Sequence, residues 1–523
     1  MELINSLTMR ILKILLTPFI LIVSTQISAQ ENTITIHVDQ AKDTISKHIY
    51  GHFAEHLGRG IYDGFFVGKD SEIPNTNGIR TDIIEALREL SIPVLRWPGG
   101  CFAEQYQWKD GIGPVKERPL VVNTFWGGVT EDNSFGTHEF LELCEMLDTE
   151  PYIAVNIASG TVKDASQWIE YVTSDKDSEV TRLRKANGRE EPWNVKFWGI
   201  GNENWGCGGG MDAEYYTDVF KRFSTYCNAD FKIASGGEWD DLEWTRTFMS
   251  EIKEVPGFID IADGLSYHYY TIANDWSVKG SALDFVEEEW FRSMDQTLKM
   301  EANLEDHIAI MDEEDPDNTI ALIADEWGTW YDVEEGTNPG FLYQQNSLRD
   351  ALVAALGLNI FNNHARRIKM ANIAQTINVL QAMILTKEDQ MVKTPTFYVF
   401  KMYKVHQDAM QLPSEVKAEN YTTEQGEVPA LSVSASKNSQ GEVHVTVANV
   451  HPHKELNTAI NLKGVEKFGE VSASIITAGK MNAFNDFGKE EQVKLETYEG
   501  VRSKKGTLSV DIPAKSVILL KIK

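Results

Sequence analysis

The chain alternates between two hydrophobic periodicities from about residue 48 to about residue 405. Short apolar runs predict buried strands, and the stretches between them carry apolar residues at helical spacing, as in GIRTDIIEALREL and SLRDALVAALGLNIF. The strand candidates are HIYGHF, VLRWPG, YIAVNIA, VKFWGIGNE, FKIASGG, GLSYHYY, IALIADEWG and MANIAQT. Eight strands that alternate with helices predict an α/β fold, a (β/α)8 TIM barrel. The alternative is an open doubly wound sheet, but no G-x-G-x-x-G motif follows a strand.

The pattern changes after about residue 408, where no long helical periodicity remains. Short alternating stretches such as EVHVTVANV, VSASIITA, GTLSVDI and SVILLKI are separated by Gly, Asn, Asp and Lys turns. This spacing is typical of a β-sandwich, so we expect a C-terminal all-β sandwich domain. The early stretch NTITIHV also alternates, and we expect this strand to join the sandwich.

The N-terminus resembles an export signal. Arg10 and Lys13 lie beside the apolar run ILLTPFILIV, and Ala29 offers a cleavage point. The run is short and contains a proline, which disfavours a membrane span, so we expect an exported protein, periplasmic or secreted. An uncleaved anchor is the alternative. The predicted organisation is a signal peptide at 1–29, an N-terminal strand at 30–47, a catalytic barrel at 48–407 and a β-sandwich at 408–523.

Composition narrows the possible partners. The chain has 49 Lys and Arg against 78 Asp and Glu, a formal charge of −29. This charge argues against nucleic acid, anionic membrane surfaces and polyanionic glycans, and favours a neutral substrate. The 13 Trp and 17 Tyr are numerous, and such aromatics often line carbohydrate sites, although most of them belong to a core. The four cysteines lack metal-ligand spacing, so we predict no metal and no cofactor.

Chemistry is expected where the barrel strands end, because the following loops carry the active sites of such barrels. Carboxylates, amides and aromatics dominate these ends, with no Cys/His cluster, phosphate loop or G-x-S-x-G motif. His268 is a single histidine, which we interpret as an orienting hydrogen bonder rather than a metal ligand. The candidates at the strand ends are Glu55, His56, Glu203, His268, Tyr270, Glu326 and Gln375.

Two of these glutamates form a distinctive pair. Glu203 and Glu326 each end a strongly apolar run and have a tryptophan one or two residues later. Glycoside hydrolysis needs such a pair, one carboxyl as a protonated acid and the other ionised. The alternative for either residue is a polar strand end that binds an arginine or caps a helix. Four other acids near strand ends compete, so spacing alone does not assign the roles: Glu55, Glu104, Glu238 and Asp325.

Several long segments then resemble one known family. GHFAEHLGRGIYDG, LRWPGGCFAEQYQWKDGIGP, FGTHEFLELCEML, WGIGNENWGCGG, SYHYY and ADEWGTWY resemble, in this order, the α-L-arabinofuranosidases of glycoside hydrolase family 51. The resemblance runs from about residue 32 to the end of the chain. It implies a barrel joined to a β-sandwich and a retaining, metal-independent mechanism. It also implies release of terminal α-L-arabinofuranosyl residues from arabinose-containing plant glycans.

The resemblance also implies residue roles. Glu203 matches the family's acid/base, Glu326 its nucleophile, and Asn202 the amide that binds the sugar 2-hydroxyl. At Cys101 a substrate contact is implied and a disulfide is less favoured. The implied substrate-binding residues are Glu55, Cys101, Trp126, Asn202, Tyr270 and Gln375.

Other functions stay open at this point. Related barrels with the same strand ends include endo-β-glycanases and β-xylosidases, and a non-catalytic glycan-binding protein could keep the fold. Site shape separates the enzymes, because an exo-acting enzyme needs a closed pocket and an endo-acting enzyme an open cleft. The family resemblance also allows a homo-oligomer, such as a hexamer.

Overall fold

The computed structural model describes residues 32–253, 261–467, 469–504 and 507–523, so the predicted signal peptide at 1–29 lies outside the described residues. Eight parallel strands form a closed barrel. In chain order, the barrel strands are Gly51–Phe53, Val94–Trp97, Glu150–Val155, Phe197–Ile200, Phe231–Ala234, Gly264–Thr271, Ala321–Thr329 and Ile368–Ile373. Each overlaps one of the predicted apolar runs and extends beyond it by at most two residues, and the predicted barrel fold is confirmed.

Helices surround the barrel. They are Thr81–Arg88, Thr137–Leu147, Val162–Thr173, Glu179–Ala186, Ala213–Tyr226, Leu242–Ile252, Glu287–Glu314, Leu348–Asn363 and Pro395–Tyr403. The helix Leu348–Asn363 begins at a capping box, in which Asp350 accepts the backbone N–H of Ser347. It is buried along almost its whole length because it packs between the barrel and the C-terminal sheets. Among the described residues no helix combines the length and the apolar character that a bilayer crossing requires.

The C-terminal region contains two antiparallel-rich sheets. The six-stranded sheet has the order Met410–Gln411, Leu431–Lys437, Val443–Asn449, Ser516–Ile522, Val471–Thr477 and Glu496–Thr497. The five-stranded sheet has the order Ser414–Lys417, Asn32–His37, Leu456–Lys463, Thr507–Ile512 and Val501–Lys504. The N-terminal strand Asn32–His37 therefore lies inside this sheet, with Ile34 opposite Ile460.

Four short antiparallel ribbons complete the described strands. They pair Asn75–Thr76 with Ile79–Arg80, Val121–Val122 with Thr130–Glu131, Ile384–Lys387 with Gln390–Lys393, and Asn420–Thr423 with Gly426–Pro429.

The barrel interior changes from apolar to polar along the strands. A cluster of buried side chains fills the lower interior: Val94, Tyr152, Phe197, Ile233, Ala321, Ile323 and Met370. Because side chains on one face of a strand recur every second residue, the next inward positions on three of these strands are Arg96, Asp325 and Asn372. The barrel thus presents a buried polar layer directly below its carboxyl end.

Candidate active site

A cavity of about 510 Å³ opens at the carboxyl end of the barrel. Carboxylates line its floor and tryptophans line its mouth. Among its lining residues are Glu55, Cys101, Trp126, Glu203, Tyr270, Glu326 and Gln375. The eighth predicted residue, Asn202, lies immediately behind the lining and is 2% exposed. The structure therefore brings all eight predicted site residues together.

Glu326 is the most firmly held carboxylate of the cavity. Its Oε1 accepts a hydrogen bond from Arg96 Nη1 at 2.8 Å, and its Oε2 accepts one from the Tyr270 hydroxyl at 2.7 Å. Burial alone would raise the pKa of Glu326, but the positive charges of His268 and Arg96 and these two hydrogen bonds outweigh it and lower the pKa. Glu326 is therefore held as a carboxylate.

Arg96 links Glu326 to Asn202 through hydrogen bonds, and the sequence reasoning missed this residue. It is 1% exposed, and its Nη2 also donates to Asn202 Oδ1 at 2.6 Å. Asp325 Oδ2 lies 3.5 Å from Arg96 Nε and accepts the Tyr152 hydroxyl at 2.6 Å. The signal was present in VLRW, since an arginine inside a fully buried strand requires a buried anionic partner.

Glu203 has a different setting. It follows the fourth barrel strand with a backbone φ of 41°, and its side chain is 21% exposed. His268 Nδ1 lies 2.9 Å from Glu203 Oε1 and 3.7 Å from Glu326 Oε2. Burial would lower the pKa of His268, but the charge of Glu326 and the hydrogen bond to Glu203 raise it above its ordinary value. His268 thus lies between the two carboxylates, which both favour its protonated form.

The two carboxylates are close to one another. One oxygen of Glu203, one oxygen of Glu326 and a ring nitrogen of His268 lie within 4.8 Å of one another. A second cluster of possible metal ligands in the described part of the chain contains Cys101, Glu203 and Cys207. These two cysteines are joined in a disulfide and so lack the thiolates that a metal would need. Proton transfer and nucleophilic attack are therefore the chemistry that the carboxylates best support.

The Cys101–Cys207 disulfide corrects the prediction that a disulfide at Cys101 is less favoured. The two cysteines are 106 residues apart, with a Cα–Cα distance of 5.6 Å. The loops after the second and fourth barrel strands meet at the same end of the barrel, and this proximity is invisible in the sequence. The two sulfurs lie 3.8 and 3.5 Å from Glu203 Oε2. Cys144 and Cys227 are buried free thiols.

Glu55 anchors the opposite side of the floor. Its Oε1 accepts hydrogen bonds from the backbone N–H groups of Gly100 and Phe102 at 3.0 Å and from Trp126 Nε1 at 2.9 Å. Its Oε2 accepts one from Gln375 Nε2 at 3.0 Å, which leaves the buried Gln375 Oε1 without a partner. Burial, together with the charge of Glu326, raises the pKa of Glu55 to about 7.

Two glycines let the backbone approach these carboxylates closely. A Cβ atom on Gly99 would lie 2.6 Å from Glu55 Cγ, and one on Gly100 would lie 2.6 Å from Glu326 Oε1. Neither position accepts a side chain without displacing a carboxylate. The Pro-Gly-Gly sequence after the second strand is therefore a requirement of the site.

Tryptophans form the mouth of the cavity, and sequence reasoning did not single them out. The residues are Trp205, Trp239, Trp276 and Trp330. Trp276 is 62% exposed, and its ring centroid lies 4.9 Å from that of Trp330, which lies 5.0 Å from the Tyr270 ring. An aromatic wall thus leads from solvent to the tyrosine that contacts Glu326.

Comparisons with known proteins identify the family. The family model of the α-L-arabinofuranosidase 1 domain matches residues 86–287, and that of the α-L-arabinofuranosidase C-terminal domain matches residues 325–516. An intracellular exo-α-L-arabinofuranosidase of Bacteroides ovatus is 50% identical over 98% of this chain and 99% of its own. An α-L-arabinofuranosidase C of Emericella nidulans is 32% identical over 90% of this chain and 95% of its own.

The first of these relatives contradicts one sequence-based prediction. It is named an intracellular enzyme and aligns over 98% of this chain, so the predicted export to the periplasm or outside the cell is wrong. A charged, apolar N-terminal stretch is a short pattern, and a match over nearly the full length outweighs it.

Solved structures share the whole architecture. A family 51 arabinofuranosidase of Xanthomonas axonopodis pv. citri superposes with a TM-score of 0.91 at 44% identity, covering 94% of this chain and all of its own. An α-L-arabinofuranosidase of Thermotoga maritima, solved with arabinose, gives a TM-score of 0.80 at 27% identity, covering 94% of this chain and 99% of its own. The chain therefore belongs to glycoside hydrolase family 51 and is an α-L-arabinofuranosidase.

Proposed function

We propose that this enzyme is an exo-acting, retaining hydrolase that releases terminal α-L-arabinofuranosyl residues from plant polysaccharides or oligosaccharides by double displacement. The observation that carries the proposal is the approach of Glu203 and Glu326 within 4.8 Å. Retaining glycosidases hold their two carboxyl groups about 5–5.5 Å apart, whereas inverting enzymes need about 6.5–9.5 Å to admit a water molecule. The observed approach favours retention.

Glu326 is the proposed nucleophile. Arg96 and Tyr270 each donate a hydrogen bond to it, so its charge is stabilised and its position is fixed. In the first step a Glu326 oxygen forms a bond to the anomeric carbon as the bond to the leaving oxygen breaks. The negative charge of Glu326 is consumed in the covalent glycosyl-enzyme.

Glu203 is the proposed acid/base. The proposed mechanism requires it to carry a proton at the start. Glu203 gives this proton to the leaving oxygen in the first step. Once Glu326 is esterified its charge is gone, so Glu203 can remove a proton from the attacking water, which releases arabinose with retained configuration.

The other predicted residues surround the proposed sugar position. Arg96 holds the amide oxygen of Asn202, and the Asn202 Nδ2, which lies 3.9 Å from Cys207 Sγ, is the group that we assign to the 2-hydroxyl. Glu55 and Gln375 are suited to other hydroxyls, since Gln375 Oε1 is free of partners. We assign sugar contacts to the remaining lining residues: Cys101, Trp126 and Tyr270.

The shape of the site supports exo action. Loops after three different strands contribute Trp126, Trp276 and Trp330 to the rim, and this arrangement around the floor carboxylates supports a pocket rather than a groove. The leaving group would lie among the exposed tryptophans, where sugar rings stack favourably on indoles. The Bacteroides ovatus relative is named an intracellular exo-enzyme, and by this likeness we propose oligosaccharides as the main substrates.

A substrate panel tests the proposal. Aryl α-L-arabinofuranosides, aryl β-xylosides and an arabino-oligosaccharide would be incubated with the enzyme, and early products followed by proton NMR. We expect arabinose from the arabinofuranosides and the oligosaccharide, one residue at a time, with the α-anomer formed first. A β-anomer formed first would contradict retention, and internal cleavage of the oligosaccharide would contradict exo action.

Assembly stays a prediction. The resemblance to the family suggests a homo-oligomer, such as a hexamer. Light scattering coupled to size-exclusion chromatography would give the mass in solution, and a monomer at all concentrations would contradict the prediction.

A further inference from the structure

Glu104 is a buried carboxylate to which the proposed chemistry assigns no part. It ends the short 3-10 helix Cys101–Glu104 after the second barrel strand and is 3% exposed. Its Oε1 accepts hydrogen bonds from the backbone N–H of Asn202 at 2.7 Å and from Asn204 Nδ2 at 2.8 Å. Its Oε2 accepts the backbone N–H groups of Ile157 and Ala158, both at 2.8 Å.

These four hydrogen bonds use the whole acceptor capacity of one carboxylate without a basic partner. No Lys, Arg or His of the described ranges forms an ion pair with Glu104. Backbone and amide N–H groups therefore provide all of its compensation, and each is directional. A carboxylate bound in this way fixes the positions of its four donors, because each hydrogen bond requires a particular distance and direction.

The donors bracket Glu203. Asn202 precedes it and Asn204 follows it. Glu203 itself has a backbone φ of 41°, a left-handed conformation that residues other than glycine rarely adopt. A strained residue of this kind persists only where its surroundings determine its conformation. The carbonyl oxygen of Glu203 is also held, by the N–H groups of Gly206 at 2.8 Å and Gly208 at 3.0 Å.

Gly208 belongs to the same arrangement. A Cβ atom there would lie 2.1 Å from the Asn202 carbonyl oxygen and 2.7 Å from Asn204 Nδ2. Asn204 Nδ2 donates to the Gly208 carbonyl at 2.7 Å as well as to Glu104. The loop therefore closes compactly on the Glu104 carboxylate.

We infer that Glu104 is a positioning residue of the acid/base: its carboxylate ties the loops after the second, third and fourth strands and holds the backbone on both sides of Glu203. The inference rests on the proposed role of Glu203. Glu104 touches neither substrate nor reacting atoms, so its loss should act through the direction in which the Glu203 carboxyl points. The step most sensitive to that direction is proton transfer to the leaving oxygen.

The test is the dependence of the rate on the leaving group. Glu104→Gln keeps the size of the side chain but places an NH₂ group against N–H donors, so at least one hydrogen bond is lost. We expect kcat/KM for an alkyl α-L-arabinofuranoside to fall about tenfold further than that for a dinitrophenyl α-L-arabinofuranoside, which leaves without a proton. Added azide should partly restore turnover of the dinitrophenyl substrate only.

Asp350→Asn is the matched control. Asp350 is also fully buried and accepts hydrogen bonds from the Ser347 N–H at 2.7 Å and the Thr329 hydroxyl at 2.6 Å, and neither of these donors adjoins Glu203. A merely structural loss should lower the melting temperature and affect both substrates by one factor. If Glu104→Gln behaves in this way, the inference is overturned.

Two further variants keep the outcomes distinct. If Glu104→Gln does not fold, Asn204→Ala takes its place, because it removes one of the four hydrogen bonds. Its kcat/KM should again fall further for the alkyl substrate than for the dinitrophenyl substrate, by a smaller factor. Equal falls on both substrates would reject the inference. Glu203→Ala reports on the proposed function itself. A leaving-group effect for Glu203→Ala but not for the Glu104 and Asn204 variants overturns the inference alone, whereas no effect for Glu203→Ala overturns the acid/base assignment.

Discussion

The two carboxylates proposed for catalysis differ in burial, backbone conformation and hydrogen-bond partners. Glu326 lies within the barrel strand Ala321–Thr329, is 6% exposed and accepts hydrogen bonds from Arg96 and Tyr270. Glu203 lies just beyond a strand, in a left-handed backbone conformation, with a more exposed side chain that contacts His268 and a disulfide. The side chain of Glu326 is held by Arg96 and Tyr270 within the sheet, whereas Glu203 is held through its backbone carbonyl and through the contact of its side chain with His268.

This difference suits the role that we propose for each group. A nucleophile must stay charged and in line with the anomeric carbon, so buried positive charge and a rigid strand suit it. An acid/base must gain and lose a proton in every turnover, so fixed cations that lock it in one charge state would harm it. His268, which approaches both, can balance the charge as the proton moves.

Removal of the nucleophile should have the largest effect. Glu326→Ala deletes the group that forms the covalent bond, so kcat should fall by about 10⁴-fold or more on all substrates, whatever their leaving group. Steady-state rates on aryl arabinofuranosides check this. Glu238→Ala, a solvent-exposed carboxylate at the cavity, should change the rate by less than about tenfold. An active Glu326→Ala enzyme would refute the assignment.

Removal of the acid/base should have a selective effect. Glu203→Ala leaves the nucleophile intact, so a dinitrophenyl substrate should still form the glycosyl-enzyme, while alkyl arabinofuranosides should lose about 10²–10⁴-fold. Azide should rescue the second step for the activated substrate, because it attacks without base catalysis. Rates that fall equally on both substrates would remove the distinction between the two carboxylates.

A milder change tests how Glu326 is kept charged. Arg96→Lys keeps a positive charge but cannot bind Glu326, Asn202 and Asp325 together, so kcat/KM should fall about 10–100-fold. Because the lowered pKa of Glu326 depends partly on Arg96, this pKa should rise, and the acidic limb of the pH profile should move to higher pH.

The control for this change is another buried arginine. Arg118 forms a two-pronged ion pair with Glu139 outside the cavity, so Arg118→Lys should cost stability without moving the acidic limb. An acidic limb that stays in place in Arg96→Lys would show that Arg96 does not set the charge of Glu326.

A prediction about stability rather than about rate involves Glu55, a third carboxylate of the floor. Its pKa is about 7 in the folded state against an ordinary 4.5, because burial and Glu326 disfavour its charge. A raised pKa stabilises the fold fully below pH 4.5, and this contribution is lost as the pH rises through 7. Glu55→Gln removes this pH-dependent loss of stability, because an amide does not ionise. The Gln375 amide can turn so that its oxygen accepts a hydrogen bond from the new NH₂ group. As the pH rises from 5 to 8, the free energy of unfolding of the variant minus that of the parent should increase by up to about 3 kcal/mol.

Unfolding curves of both proteins at several pH values measure this gain. Glu238→Gln, at an exposed position, supplies the comparison. A constant stability difference between Glu55→Gln and the parent across this range would show that Glu55 is not held in its neutral form.

Much of this arrangement follows from the sequence pattern. Eight apolar runs predicted the barrel, and the acidic ends of two of them, in GNENWG and ADEWG, predicted the carboxylate pair. Arg96 could have been found, since it interrupts a buried strand. Contacts between loops could not have been found in the sequence. The Cys101–Cys207 disulfide and the hydrogen bonds of Glu104 join segments that come together only when the barrel closes. The left-handed backbone of Glu203 also results from these contacts and leaves no mark in composition or periodicity.

Capture of the covalent intermediate tests the account most directly. An arabinofuranosyl substrate with fluorine at carbon 2 and a good leaving group should slow breakdown of the glycosyl-enzyme, because fluorine destabilises the oxocarbenium-like transition state. Peptide mass spectrometry after digestion locates the adduct. The account predicts one sugar per chain, attached to Glu326. Arabinose release without an adduct, or a sugar attached to any other residue, would contradict it.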